Sequence, residues 1–91
     1  MFHTKTIRKM KELQETATMM CSDDYKERFA AEYHQLRIRI EKLVAMTKKW
    51  DRCELDFTPQ CPRSTYNLQL RAMCDYMAIL ELRAKAEGIN L

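Results

Sequence analysis

A chain of 91 residues, 46% apolar and 32% charged with one glycine and two prolines, fits one compact helical domain near the lower limit of independent stability, and excludes a disordered or fibrous protein. Sixteen Lys and Arg against thirteen Asp and Glu leave a formal charge of +3, a mild excess that is compatible with an anionic partner and by itself decides nothing. Cys21, Cys53, Cys61 and Cys74 come with no signal peptide and no long apolar run, which predicts free thiols in a reducing cytoplasm and no membrane insertion.

The first predicted element runs from Thr4 to about Met20, with Ile7, Met10, Leu13, Ala17 and Met20 on one face and Thr4 or Thr6 placed to cap it. Its polar side is basic early, at Lys5, Arg8, Lys9 and Lys11, and acidic later, at Glu12 and Glu15. That order opposes the helix dipole and points to a task other than helix stability. The plainer alternative is a solvated lysine-rich face.

The second element starts at Ser22 or Asp24, where Asp24 and Glu27 have capping-box spacing, and runs to about Lys49. Phe29, Tyr33, Leu36, Ile40, Leu43 and Thr47 recur in steps of four and three, a seam for packing on another helix at a shallow angle. Ile38 and Val44 fall off that seam. Residues 51–63, "DRCELDFTPQCPR", hold both prolines and no periodicity; such a loop is long for a plain helix connection and is a candidate for contact or function.

The third element is capped by Ser64 or Thr65 after Pro62 and stopped by Gly88, with Ile89 and Leu91 able to fold back. Leu70, Met73, Met77, Leu80 and Ala84 form one apolar row, and Ala72, Tyr76 and Ile79 a second that runs out at Arg83. Cys74 is expected to be a small buried residue. The reading is an all-α fold with a single domain, 1–91: an N-terminal helix within 1–21 and a long antiparallel hairpin over 22–91 with loop 51–63. A hairpin has one internal seam, so the second rows predict a homo-oligomer with Tyr76, Ile79, Ile38 and Val44 at the interface. The alternative is that the first helix covers the second row within a monomer.

The sequence offers no glycine-rich phosphate loop and no His, Cys and acid set, so no catalytic residue is expected. His34 is a lone histidine on a helix flank, and Asp23 and Asp24 serve as a helix start. Cys53 and Cys61, with His3 and His34 far off, match no close-paired zinc pattern, so neither metal nor cofactor is expected. Arg28, Arg37, Arg39, Arg63, Arg71 and Arg83 are spread over the hairpin, and arginine suits forked recognition of phosphate.

The run "CPRSTYNLQLRAMCDYMAILELRAKAEGI" resembles the helical-hairpin domain shared by two groups of small phage proteins that sequester cyclic nucleotide immune signals, the anti-CBASS and anti-Thoeris sponges. "YKERFAAEYHQLRIRIEKLVAM" fits the first arm more loosely, so the resemblance covers roughly two thirds of the chain. It implies compact homo-oligomers, commonly hexamers, that bind cyclic di- and trinucleotides without cutting them, in the cytoplasm of the infected bacterial host. A pocket of several hundred Å³ cannot be hollowed from one hairpin, so it has to form between chains. The resemblance carries a trinucleotide-contacting arginine to Arg63 and a dinucleotide-contacting lysine to Lys26. "RKMKEL", from Arg8 to Leu13, resembles the helix that closes the dinucleotide pocket, but Leu13 stands nearest to the place of a base-stacking tyrosine. Tyr25 is then the ring available from the neighbouring turn. Two other functions are weighed beside the sponge: an adaptor whose hairpin oligomerises or binds a host protein, and a binder of long nucleic acid through Lys5, Arg8, Lys9 and Lys11. The hairpin lacks a short helix-turn-helix joint, which disfavours the last.

Overall fold

The structure, a computed structural model, describes residues 13–91. The expectations for Thr4, Lys5, Thr6, Arg8, Lys9 and Lys11 lie outside those residues. Three helices and no strand occur among the described residues: α1 over 13–19, α2 over Tyr25–Asp51 and α3 over Arg63–Glu87.

Local chemistry sets the start of α2. Asp24 is extended and its Oδ1 accepts the Lys26 N–H at 3.0 Å, the bond expected of an N-cap. The Asp24–Glu27 capping box does not close. Ser22 Oγ accepts the Asp24 N–H at 3.0 Å, and the same hydroxyl meets Glu27 Oε1 at 3.0 Å; Glu27 therefore reaches serine, because the amide it was expected to take is already bonded. At the other end Glu54 N–H donates to the Lys49 carbonyl at 2.8 Å and Cys53 N–H to Trp50 at 3.0 Å. Cys53 is left-handed, φ 58°, where such a stop ordinarily uses glycine.

The start of α3 corrects another expectation. Pro62 is the N-cap, with no side-chain bond, and its carbonyl accepts the Thr65 N–H at 3.0 Å. Ser64 and Thr65 lie inside the helix, since Pro62 already stands in the extended conformation of a cap and Arg63 follows directly in helical geometry. Gly88 ends α3 at φ 68°, and Ile89 N–H donates to the Ala84 carbonyl at 2.9 Å. Ile89 is buried by this fold-back, whereas Leu91 stays exposed.

The two long helices run antiparallel with the expected seams facing each other. Phe29, Leu36, Leu80, Ala84 and Ile89 form the core, and Tyr33, Ile40, Met73 and Met77 pack against it. Thr47 is buried with its hydroxyl bonded to the Val44 carbonyl at 2.9 Å, which removes the cost of an unpaired polar group.

On another face of α2, Ala31 and Ile38 are fully buried, near the side where Glu15, Thr16 and Met19 of α1 face His34 and Arg37 across a small cleft. Ile38 is 1% exposed within the single chain and is therefore not a surface for another copy. In α1 the inward residue is Thr16, its Oγ1 bonded to the Leu13 carbonyl at 2.7 Å, while Ala17 and Met20 are exposed. Of the expected face, Leu13 is half-buried but Ala17 and Met20 are not covered, so the buried side is turned toward Thr16, whose satisfied hydroxyl lets it enter. Tyr76 and Ile79 are exposed at 41% and 53%, beside the bare Leu68 and Leu82; Val44 is half-buried. Cys74 is exposed with the other three cysteines, because one helical step past Met73 turns it away from the core. No helix among the described residues is long and apolar enough to cross a membrane.

Candidate ligand-binding site

The closed end of the hairpin gathers a polar cluster around Arg63. The residue is the first of α3 and not part of the loop, so a helix turn holds its backbone. Its Nε and NH2 donate to Asp51 Oδ1 and Oδ2 at 3.1 and 3.2 Å, a two-pronged pair, and NH1 donates to Asn67 Oδ1 at 2.6 Å. The guanidinium carbon stands 5.9 Å from the centre of the Trp50 ring, and Trp50 meets Tyr66 edge-on at 5.5 Å. The hydrogen bonds from Arg63 hold the Asp51 carboxyl below its ordinary pKa, so Asp51 is an anion at neutral pH. Arg63 and Asp51 side chains are 31% and 59% exposed, which leaves both within reach of a ligand. Lys42, Met46 and Lys49 of α2 and Leu55, Asp56 and Phe57 of the loop line a separate cleft of about 370 Å³, which neither Arg63 nor Asp51 lines.

The open end of the hairpin holds Tyr25 and Lys26. Tyr25 OH donates to Glu87 Oε1 at 2.8 Å and accepts from Arg83 NH2 at 3.0 Å. Arg83 in turn lies 4.9 Å above the Phe29 ring, a cation over an aromatic face. The Tyr25 hydroxyl is thus committed to α3, while the residue as a whole remains 44% exposed. Lys26 is exposed and, with Met19, Asp24, Glu27 and the turn Gly88 to Asn90, lines a cleft of about 360 Å³.

Tyr25 and Lys26 are therefore neighbours, and Arg63 is not near them. Lys26 and Asp51 lie at opposite ends of α2, about 38 Å apart at 1.5 Å per residue, so one small ligand cannot touch Lys26 and Arg63 of the same chain. Leu13 is half-buried on α1, and Arg8 lies outside the described residues. Sequence reasoning missed Trp50, Asp51 and Asn67 as partners of Arg63, and Tyr66 as the ring against Trp50. The i,i+4 spacing of Arg63 and Asn67 is a signal the sequence carries; the rest needs the two arms brought together. Among the described residues no three His, Cys, Asp or Glu side chains are grouped to hold a metal ion.

A family model described as Sequestin matches residues 23–86. The chain belongs to the Sequestin family. The matched span takes in α2, the loop and nearly all of α3, so the Sequestin unit is the hairpin itself, with both Lys26 and Arg63 inside it and Leu13 outside. The family's name denotes sequestering, the holding of a molecule rather than its conversion. No curated protein and no solved structure matches the chain.

Proposed function

We propose that this Sequestin binds and sequesters cyclic oligonucleotide second messengers, cyclic di- and trinucleotides, without cleaving them. As a phage protein in the cytoplasm of the infected host, it would thereby silence the anti-phage immunity that such messengers trigger. The observation that carries this reading is Arg63: a guanidinium backed by Trp50, anchored by Asn67 and still partly exposed at the rim of the hairpin. A planar fork of this kind suits a phosphodiester, and the neighbouring Trp50 and Tyr66 rings suit bases.

The single chain presents open clefts of about 250 to 390 Å³, too shallow to enclose a ring of two or three nucleotides. The remaining walls come from other copies in a homo-oligomer, a hexamer in this reading. The apolar row Leu68, Ala72, Ile79 and Leu82 on α3 supports such assembly. The same row would also serve an adaptor that binds a host protein.

One experiment separates these readings. The purified protein is incubated with a mixture of cyclic di- and trinucleotides, washed and denatured, and the released material is identified by mass spectrometry. Intact cyclic nucleotide supports the sponge, linear product marks an enzyme, and absence of any nucleotide leaves the adaptor.

A further inference from the structure

We propose that Asp51 is an internal competitor for the Arg63 fork, an anion carried by the chain itself that sets how strongly an external phosphate is held. This rests on the reading of Arg63 as a phosphate-binding residue. A guanidinium has five N–H groups. In the structure Nε and NH2 each give one to Asp51 and NH1 gives one to Asn67, which leaves one on each terminal nitrogen.

An incoming phosphate has two ways to bind. It displaces Asp51 and takes the Nε and NH2 prongs, or it takes the two remaining N–H groups and stays beside the carboxylate. The first route breaks a bidentate ion pair; the second sets two anions a few ångströms apart, where they repel. Either way the Asp51 charge opposes binding. Displacement is feasible because the Asp51 side chain is 59% exposed, so water can solvate the released carboxylate. Asn67 still holds NH1 at 2.6 Å, and the guanidinium keeps its place over Trp50.

The consequence is selection by number of contacts. The same penalty falls on every anion, so a simple abundant one such as inorganic phosphate drops out of its binding range, while a ligand that adds bases and further phosphates is weakened by the same factor and is still held. Asp51 is in this sense a residue that raises the affinity threshold and does no binding of its own.

The test is calorimetric titration of wild type, Asp51→Asn, Arg63→Ala and the double variant with two probes, inorganic pyrophosphate and cyclic triadenylate. Asparagine keeps the shape and one acceptor oxygen for the guanidinium and removes the charge. Asp51→Asn should tighten both probes by about threefold to tenfold, and the double variant should show none of that gain. If Asp51→Asn binds no better than wild type while Arg63→Ala binds worse, the competitor role is wrong and Arg63 stands as a ligand. If Arg63→Ala matches wild type for both probes, the reading of Arg63 itself falls, and the role of Asp51 with it.

Discussion

Tyr33 on α2 donates its hydroxyl to Glu81 Oε2 on α3 at 2.7 Å, across 48 residues of sequence. The bond needs the proton that tyrosine carries, and the Glu81 acceptor, aided by desolvation, raises the Tyr33 pKa above its ordinary 10.0. A group whose folded pKa is raised contributes stability that is complete below the unfolded value and lost as pH climbs through the folded one. Urea titrations of wild type should therefore show a decline in stability above about pH 10. In Tyr33→Phe the part of that decline due to this group should vanish, and an unchanged alkaline profile would mean the bond does not persist in solution.

Leu80 is completely buried at the centre of the seam, whereas Leu82 is 70% exposed. Leu80→Ala should cost about 2–5 kcal/mol in denaturant unfolding, since it opens a cavity in the core. Leu82→Ala should leave the packing within the chain, and so its unfolding midpoint, unchanged and act only on the mass of the proposed assembly.

Gly88 and Cys53 both adopt left-handed backbone, at φ 68° and 58°. Nothing lies within 4 Å of a Cβ built at Gly88, so Gly88→Ala should destabilise by about 1 kcal/mol through backbone strain alone. Cys53→Gly should move the melting temperature the other way, upward. A fall in both variants would show that the Cys53 side chain makes a contact of its own.

Tyr76→Glu or Ile79→Glu should dissociate the proposed oligomer while each chain stays helical, because an unpaired charge buried at an interface is far costlier than one on a surface. Ile38→Glu should instead unfold the chain. Light scattering and circular dichroism together read the difference: intact mass in all three variants would place Tyr76 and Ile79 in water.

Arg63→Ala should weaken cyclic trinucleotides by about tenfold or more, the loss of a charge-assisted hydrogen bond, and Arg63→Lys should not restore them fully. Lys26→Ala should weaken cyclic dinucleotides and spare trinucleotides, since the length of α2 separates the two residues. Equal losses for both ligands in both variants would require one common pocket that joins opposite ends of different chains.

The helices and their seams were legible because a helix repeats every 3.6 residues, so the spacing of Phe29, Leu36, Leu80 and Ala84 already implies one buried stripe on each arm. Asp24 and Gly88 were legible as helix ends for a similar reason: each acts on backbone a few residues away. Periodicity cannot say which of two apolar rows is covered. Ile38 and Ile79 look alike in the sequence, yet one is buried and the other bare, which depends on what else lies against each helix. Cys74 lost its expected place by a single step of rotation past Met73. The state of Arg63 lay furthest from view, because its two-pronged partner Asp51 stands 12 residues away across an aperiodic loop. Only the antiparallel return of the chain brings that carboxylate to the guanidinium, and such a pairing of distant charges is a property of the folded backbone path and not of any local pattern.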